Sequence, residues 1–547
     1  MSLLVLTGLI LLLARPSLDP ARIQPIVLVG AAWVVFGCAA WLVRKVAVRL
    51  AVALILVGGI AVQVVALTGP PQNSSDLYRY IWDGRVQAAG IDPYLYAPAD
   101  AGVAKLRNDF LWSGTGSHHY VDCVPNVKNT SDPAESLVAG CTKLNRPKVQ
   151  TVYPPVAEAY FYAMQMIAPA DNSTTPIQAG AAVFALAVTL ILLFGMRKLG
   201  KDLRLTALWA WCPTVALEAG QNGHVDVVGV ALAAVALLLL ARTKAKKRKG
   251  RTILGGVLIG LAIATKVTPV LVVPGVLRRG WFLISASAVA AISLVYVPHV
   301  IAVGSKIIGF FPGYLKQEGY STGTGFTVID LFVHGGKPAL LVAIVILGAV
   351  ALAILRFGNP DEPWHGGVLM TAAALAVTTP DFQWYAILLV MLVALDGSPE
   401  WLIIAAGGYL ANSPGLVIDG VVLHAHESRL MGYGGGAAIA CACALVRYFL
   451  TRRAAAATAA ADQAAAADQA AAEVAGSDAG SAADAVAVDG EALADGIASG
   501  GAPVDVVEPT AIYPKSISVT IGTNGTPEFA SDDEAMTLDS APGRSAG

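Results

Sequence analysis

The sequence is short of charged residues. Only 14% of its 547 residues are Asp, Glu, Lys or Arg, whereas soluble domains carry about a quarter, so an ordinary soluble enzyme is excluded. The apolar residues, 56% of the chain, form long blocks separated by short basic runs. These blocks do not alternate with a period of two residues, which excludes an outer-membrane barrel. The pattern predicts an all-α, polytopic membrane protein with about 14 helical segments.

Nucleotide-binding and metal-binding patterns are also missing. No P-loop or Rossmann motif occurs, and Gly432-Tyr-Gly-Gly-Gly436 precedes an apolar helix instead of following a strand. This argues against a nucleotide-sugar donor and against ATP as a driving force. The six cysteines show no metal-ligand spacing, and His424-Ala-His426-Glu427 is a weak donor set. We therefore predict no metal ion, no cofactor and no nucleic-acid partner.

The charges that are present divide the chain into two parts. Residues 454–547 contain 15 acidic and 2 basic residues, whereas residues 1–453 contain 35 basic and 23 acidic residues. The Ala-rich composition of the acidic part cannot bury a core beyond a short extension of the last helix. We predict a membrane-embedded body at 1–453 and a disordered cytoplasmic tail at 454–547.

The basic clusters predict the topology. They span residues 44–49, 197–204, 242–251, 278–279 and 452–453. The positive-inside rule places all of them, and both termini, in the cytoplasm. Residues 70–176 then form one long extracytoplasmic loop, which holds Cys123 and Cys141. We predict a disulfide between these two cysteines, since the loop faces an oxidising compartment.

The apolar stretch 251–278, whose polar turn is 264–269, joins two basic clusters but is too short for two crossings, which need about 40 residues together. The same shape recurs at 205–241 with the turn 218–226 and at 366–395 with the turn 379–385. Pairs of broken half-helices fit these lengths, and irregular backbone at membrane depth is tolerated only inside protein or beside a cavity. Ionisable residues in such turns are functional candidates, Lys266 above all.

The outer loop opens with a predicted helix that runs from the N-cap Ser75 to about residue 89. Its two polar faces consist of Asp76, Arg79, Tyr80 and Asp83, and of Tyr78, Trp82 and Arg85. The second face suits the bilayer surface. On the first face a carboxylate can deprotonate a hydroxyl while a nearby cation holds an anionic leaving group. An interfacial helix with solvated charges is the alternative.

Several motifs resemble a known family. Asp76-Leu-Tyr-Arg-Tyr-Ile-Trp-Asp-Gly-Arg85 with Gly90-Ile-Asp-Pro-Tyr94 is similar to the first outer loop of bacterial C-type (GT-C) glycosyltransferases. Further matches are Tyr153-Pro-Pro-Val-Ala157, Ala264-Thr-Lys-Val-Thr-Pro269 and Trp384-Tyr385. The chain resembles in particular the polyprenyl-phosphomannose-dependent α-mannosyltransferases of mycobacterial type.

The resemblance implies a GT-C-like enzyme that moves a monosaccharide, with mannose expected, from polyprenyl phosphate to a cell-envelope glycan or glycolipid. Transfer would invert the anomeric carbon at the outer membrane face, with the lipid-linked sugar as co-substrate. By position the general base is Asp76, with Asp83 as its rival. The implied phosphate-binding residues are Arg79, Arg85, Lys266 and, more weakly, His224. The implied substrate-lining residues are Tyr80, Tyr153, Trp384 and Tyr385.

Two departures from the family pattern leave the acceptor open. Two spans precede the helix that leads into the motif, and residues 100–148 form an insertion. Residues 304–338 form a second outer segment, either part of the acceptor cleft or a connector. A polyprenyl-phosphate arabinofuranosyltransferase is an alternative, and a transporter or lipid flippase is the alternative from another class, since broken helices also mark transporter sites.

Overall fold

The computed structural model describes residues 1–15, 25–72, 74–112, 142–168, 172–241, 249–278, 280–413, 415–418 and 421–488. Contacts divide the chain into two units, Met1–Thr458 and Ala459–Gly547. The first unit contains all the candidate site residues, and the described residues of the second are helical. The predicted boundary at residue 453 stays a prediction.

Helices make up nearly all of the regular structure. In the first half of the chain they are α1 (Ser2–Ala14), α2 (Pro25–Leu42), α3 (Val48–Ala66), α4 (Asp76–Ala88), α5 (Pro155–Ile167), α6 (Thr175–Leu199), α7 (Ala207–Ala210), α8 (Asp226–Leu240) and α9 (Lys249–Ile263). In the second half they are α10 (Val273–Val276), α11 (Trp281–Val303), α12 (Phe311–Gln317), α13 (Thr327–Asp330), α14 (Gly336–Phe357), α15 (Pro363–Thr378), α16 (Ile387–Asp396), α17 (Leu402–Ala411), α18 (Ala425–Arg429) and α19 (Gly436–Val488).

Strand structure within the described residues is limited to one short ladder. Strands β1 (Val417–Ile418) and β2 (Val421–Val422) pair antiparallel, with Val417 opposite Val422. The prediction of an all-α fold is therefore confirmed apart from this small hairpin.

Six helical segments in the described residues are long and apolar enough to cross a membrane. They are Pro25–Lys45, Val48–Ala66, Thr175–Leu199, Trp281–Gln317, Gly336–Phe357 and Ala425–Ala472. A seventh candidate is the pair Val215–Gln221 and Asp226–Leu240, which is bent by 119°. These segments indicate a multi-pass membrane protein. The count of about 14 helical segments is not confirmed.

Burial separates central helices from peripheral ones. All nine residues from Ile387 to Leu395 of α16 are buried, and most of α8 is buried as well. A helix that is apolar all round and enclosed belongs to the middle of a bundle. By contrast, only 6% of the most apolar window of Trp281–Gln317 is buried, and only 17% for Gly336–Phe357. These two segments present apolar surface that suits lipid.

Small residues let α9 and α11 approach closely. A Cβ at Gly256 would lie 2.6 Å from the Ile284 carbonyl oxygen, and one at Gly260 would lie 2.4 Å from that of Ala288. Glycines four residues apart on α9 thus form the contact surface for α11, as in small-residue motifs of membrane helices.

The helices break at all three predicted polar turns. A π-helical segment, Val215–Gln221, precedes α8, while the 3₁₀ turn Thr268–Val272 follows α9. The 3₁₀ turn Gln383–Ala386 lies between α15 and α16. These breaks supply the irregular backbone that positions the candidate site.

Candidate functional site

The first outer loop is hydrogen-bonded to two of the helix breaks. Just before α4, the Gln72 backbone N–H donates to Asn222 Oδ1 at 2.7 Å, in the break that precedes α8. At the start of α5, the Val156 N–H donates to the Ala264 carbonyl at 3.0 Å, in the break after α9. The loop is therefore held against the turns that carry the predicted polar residues.

Asp76 is the first residue of α4 and is only 8% exposed. Ser75 occupies the predicted N-cap position, but the capping bond comes from Ser74, whose Oγ accepts the Asp76 backbone N–H at 3.2 Å. The Asp76 carboxylate accepts a hydrogen bond from Asn145 Nδ2. Sequence analysis missed Asn145, because a partner 69 residues away leaves no local pattern.

Arg79 and Asp83 form a buried ion pair on α4. Arg79 Nε lies 3.0 and 3.1 Å from the two carboxylate oxygens of Asp83. The same guanidinium donates to the carbonyls of Arg146 and Val149, at 3.4 and 3.2 Å. Arg79 thus fixes the end of the outer loop to α4, and Asp83 compensates its charge.

Glu158 on α5 extends this pair into a larger network. Its carboxylate accepts from Thr151 Oγ1 at 2.7 Å and from Gln87 Nε2 at 2.9 Å. Burial raises the pKa of Asp83, and burial together with the Asp83 charge raises the pKa of Glu158 well above its usual value. We name Arg79, Asp83, Gln87, Thr151 and Glu158 the loop network. All of its members have polar partners, as expected of a structural cluster.

Two of the three residues on the predicted interfacial face of α4, Trp82 and Arg85, are covered by protein, which corrects the prediction for them, whereas Tyr78 is partly exposed. Arg85 Nη1 donates to the Leu106 carbonyl at 3.1 Å, and the Trp82 ring packs edge-on against Trp112 with centroids 6.1 Å apart. Both α4 residues are buried. Helical periodicity identifies the residues that share a face, but it does not distinguish a protein cover from a lipid one.

Glu218 connects two of the helix breaks. Its carboxylate accepts from Asn222 Nδ2, Gln383 Nε2 and the Tyr409 hydroxyl, each at 2.9 Å. The break before α8 is thereby bonded to the turn before α16 and to α17. Glu218 was not among the predicted site residues, although it begins one of the three polar turns.

The turn after Glu218 requires a glycine. Gly223 has a φ of +66°, and a Cβ there would lie 2.7 Å from Leu77 Cδ1 on α4. His224 follows, is fully buried and stacks on Trp384 with ring centroids 4.0 Å apart. This turn therefore contacts both the outer-loop helix and the turn before α16.

Lys266 lies between the breaks. Its Nζ is 3.1 Å from Asp226 Oδ2, and it also lies 5.3 Å from the centroid of the Tyr153 ring and 5.7 Å from that of Tyr385. The Lys266 side chain is 15% exposed and that of Asp226 is 4% exposed. The cation is thus held by one carboxylate and two aromatic rings. Asp226, at the first position of α8, was also missed.

Two tyrosines connect Asp76 with these turns. The rings of Tyr80 and Tyr153 meet edge-on with centroids 5.0 Å apart. Burial raises the pKa of both hydroxyls well above the usual range, and the negative charge of Asp76 raises each further. The charge of Asp226 also raises the pKa of Tyr80. Asp76 and Asp226 therefore both lie close enough to the pair of Tyr80 and Tyr153 to raise the pKa of a tyrosine in it.

Several buried polar atoms near Lys266 lack hydrogen-bond partners among the described residues. They are His224 Nδ1 and Nε2, Asp226 Oδ1 and Oδ2, and Trp384 Nε1. A buried polar group left unsatisfied costs about 1–3 kcal/mol, so such atoms are normally paired with water or a ligand. We name His224, Asp226, Lys266, Trp384 and Tyr385 the turn cluster. It differs from the loop network in this under-pairing.

The second outer segment contacts the turn cluster from another direction. The hydroxyls of Tyr314, on α12, and Tyr385 are hydrogen-bonded, and the Arg146 guanidinium lies 5.6 Å from the Tyr314 ring centroid. Arg146 Nη2 also lies 3.8 Å from Glu318 Oε1. Burial and the charge of Asp381 raise the pKa of Glu318 to about 7. The segment thus packs against the turn cluster, and its part in an acceptor cleft stays a prediction.

The structure brings together most of the predicted residues. The residues that meet around the helix breaks are Asp76, Tyr80, Tyr153, His224, Lys266, Trp384 and Tyr385. By contrast, the outer loop itself engages Arg79, Asp83 and Arg85. Cys123 and Cys141 lie outside the described residues, so their disulfide stays a prediction. No group of three or more His, Cys, Asp or Glu residues in the described ranges is arranged to hold a metal ion.

Comparison with known protein families gives a match over part of the chain. Residues 151–380 match the model of glycosyltransferase family 87. The matched part contains His224, Asp226 and Lys266, whereas Asp76 precedes it. No curated protein and no solved structure matches the chain. Together with the candidate spans, the family match supports a membrane glycosyltransferase.

Proposed function

We propose that this protein transfers a monosaccharide, with mannose expected, from polyprenyl phosphate to a hydroxyl of a cell-envelope glycan or glycolipid. The observation that carries the proposal is that a carboxylate and a cation reach the same ring from different parts of the chain. The charge of Asp76, in the outer loop, raises the pKa of the Tyr153 hydroxyl. Lys266 Nζ, in a helix break, lies 5.3 Å from the centroid of the same Tyr153 ring. Base and phosphate-binding cation are the two groups that such a transfer needs.

Asp76 is the proposed general base. The acceptor oxygen bonds to the anomeric carbon as the bond from that carbon to the phosphate oxygen breaks, which inverts the centre. The hydroxyl proton passes to Asp76, and the electron pair leaves with polyprenyl phosphate. Asn145 orients the carboxylate. Asp83 is less suited to this role, because Arg79 Nε contacts both of its oxygens.

Lys266 is the proposed partner of the leaving phosphate. Its ion pair with Asp226 keeps the ammonium group at the turn cluster, and its partial exposure leaves it accessible. Charge placed where the leaving group develops is worth most in a site that excludes water. We favour Lys266 over Arg79 and Arg85, since those guanidinium groups donate to loop carbonyls.

The proposed site faces the extracytoplasmic side, with both termini in the cytoplasm. The support is the distribution of basic residues, which the positive-inside rule assigns to the cytoplasmic loops. On that arrangement the donor lipid lies beside the broken helices, and the acceptor approaches from the outer loop and α12.

The proposal is tested with membranes that contain the wild-type protein or Asp76→Asn at equal amounts. Each is given radiolabelled polyprenyl-phosphomannose, polyprenyl-phosphoarabinofuranose or a nucleoside-diphosphate mannose, with a cell-envelope glycan acceptor. We expect wild-type membranes alone to label the acceptor, and from polyprenyl-phosphomannose. Labelling from the arabinofuranose donor would replace mannose. Labelling by Asp76→Asn at the wild-type rate would remove Asp76 as base.

A transporter or lipid flippase is the second candidate, and the bend of 119° before α8 favours it. Transport moves the lipid-linked sugar without breaking the bond between sugar and phosphate. In the same membranes, label that crosses the bilayer while still attached to polyprenyl phosphate would support this alternative. Label in the glycan acceptor would support the transferase.

A further inference from the structure

The turn cluster contains polar groups that have no role in the proposed transfer as described so far. His224 and Asp226 are buried, and neither the ring nitrogens of His224 nor the carboxylate oxygens of Asp226 have a hydrogen-bond partner among the described residues. The contact of Asp226 with Lys266 is an ion pair without hydrogen-bond geometry. His224 Nε2 likewise lies 3.6 Å from Glu218 Oε2 without a hydrogen bond. Two side chains of one turn thus have charged neighbours, but their hydrogen-bonding capacity is unused among the described residues.

A third such group comes from the turn before α16. Trp384 stacks on His224 and on Phe382, with ring centroids 4.0 and 4.3 Å apart, so its ring faces pack against other rings. Its Nε1–H is buried and also lacks a partner among the described residues. An indole N–H donates only. The three residues together therefore present a donor, a carboxylate and an imidazole.

Their place relative to the proposed chemistry indicates what they bind. Lys266, the proposed phosphate partner, contacts Asp226 directly, and the charges of Asp76 and Asp226 both act on Tyr80. On the proposed function the phosphate of the donor binds at Lys266, so the sugar attached to that phosphate lies beside the Asp226 carboxylate that Lys266 contacts. Carboxylates and imidazoles are suitable partners for the hydroxyls of that sugar, because a hydroxyl both donates and accepts.

We infer that His224, Asp226 and Trp384 form a subsite for the hydroxyl groups of the donor sugar, with the Asp226 carboxylate accepting from neighbouring hydroxyls. The inference rests on the proposed function, and it makes these residues the ones that distinguish one lipid-linked sugar from another. A site built to hydrogen-bond a hydroxyl rejects an analogue that lacks it, because the buried groups are then left unpaired. In this arrangement Lys266 binds the phosphate of the donor and His224 binds its sugar.

The test combines protein variants with donors that lack one hydroxyl. Purified wild-type protein, His224→Gln and Asp226→Asn are assayed with polyprenyl-phosphomannose and with its 2-, 3-, 4- and 6-deoxy analogues. We expect at least one deoxy donor to lower the wild-type kcat/KM by roughly tenfold to a hundredfold. The same deoxy donor should lower the kcat/KM of His224→Gln or Asp226→Asn much less, because the partner of that hydroxyl is already gone. Asp202→Asn and His365→Gln are the matched controls and should behave as wild type.

Equal losses on every donor in wild type and both variants would overturn the subsite and leave the transferase proposal standing. An absence of transfer by the wild-type protein from any polyprenyl-phosphate sugar would overturn the proposed function itself. Folding of His224→Gln is checked by its thermal unfolding midpoint without ligand, which should match that of wild type. Sugar-free polyprenyl phosphate should then raise the midpoint of the variant as much as that of wild type. A loss of that shift in His224→Gln would assign His224 to the phosphate and would overturn the subsite.

Discussion

The loop network and the turn cluster are both buried and both ionisable, yet their hydrogen bonding differs. In the loop network Arg79 Nε contacts both oxygens of Asp83, and Glu158 accepts from two side chains. In the turn cluster His224 and Asp226 keep polar atoms without hydrogen-bond partners among the described residues. Buried polar groups that are hydrogen-bonded within the protein stabilise a fold, whereas unsatisfied ones need a hydrogen-bond partner from water or a ligand.

The comparison gives the two carboxylates of α4 different tasks. Asp83 belongs to the loop network, where it compensates a buried guanidinium. Asp76 is the first residue of α4, and its carboxylate accepts a hydrogen bond from Asn145. Its charge raises the pKa of Tyr153, which lies beside the turn cluster. The predictions that follow either break this distinction or sharpen it.

The largest effect on stability is expected for Arg79→Ala. Removing one partner of a buried ion pair leaves the other charge uncompensated, which costs about 3–5 kcal/mol of unfolding free energy. Arg204→Ala is the matched control, because Arg204 pairs with Asp202 near the surface and exposed pairs are worth about 0–1 kcal/mol. Thermal unfolding of the purified proteins measures both. Equal effects of the two substitutions would remove the structural role of the loop network.

Lys266→Met is expected to reduce transfer by about 10²–10³, the usual cost of losing one group that stabilises developing negative charge. The variant should also lose inhibition by polyprenyl phosphate, because the cation that binds this product is gone. Lys266→Arg keeps the charge and should retain part of both properties. Undiminished product inhibition in Lys266→Met would move the phosphate site elsewhere.

The pH dependence of stability should reveal Glu318. Its pKa rises from 4.5 to about 7 in the folded protein, so the folded state holds a proton that the unfolded state has lost between these values. Its contribution is fully present below pH 4.5 and is lost as the pH rises through about 7. The groups that face it are Arg146, Asp381, Arg429 and Asp76.

We expect the unfolding midpoint of wild type to fall across this pH window, and that of Glu318→Gln to fall less steeply. The amide keeps the shape of the carboxyl group and does not titrate. Parallel curves for the two proteins would show that Glu318 ionises normally.

Deletion of Ala475–Gly547 is expected to have the smallest effect and to leave transfer within a few-fold of wild type. The tail is acidic and is predicted to lie in the cytoplasm, across the membrane from the proposed chemistry. Activity in membranes and protein amount are measured together. Complete loss of activity at unchanged amount would contradict the prediction, and digestion of the tail by protease outside intact cells would overturn the topology.

The sequence was sufficient to predict the elements that are local in the chain. Hydropathy predicted an all-α membrane protein, the spacing of basic clusters predicted the helix break at Lys266, and polar turns inside apolar stretches predicted the breaks at His224 and Trp384. Their convergence at one place was expected only from the resemblance to GT-C enzymes. Periodicity also predicted the α4 face of Asp76 and Tyr80.

Long-range pairing set the limit of sequence analysis. Asn145 contacts Asp76, and Asp226 contacts Lys266, but neither pair has a characteristic spacing in the chain. Arg85 is buried because a later part of the same outer loop, at Leu106, packs over it. Hydropathy does not reveal such a contact, and the face of Arg85 was therefore assigned to the bilayer surface. Arg79 and Asp83 were placed on a catalytic face because composition alone does not distinguish a satisfied ion pair from a free one.

The most direct measurement compares Asp76→Asn with Asp83→Asn by transfer rate and by thermal unfolding of the same preparations. We predict that Asp76→Asn lowers the rate by about 10²–10⁴ without lowering the unfolding midpoint, because the amide still accepts from Asn145. Asp83→Asn should lower the midpoint, because Arg79 loses its charged partner, and should keep the rate per folded molecule within a few-fold of wild type. Normal turnover by Asp76→Asn together with inactive, fully stable Asp83→Asn would contradict the division between the loop network and the catalytic site.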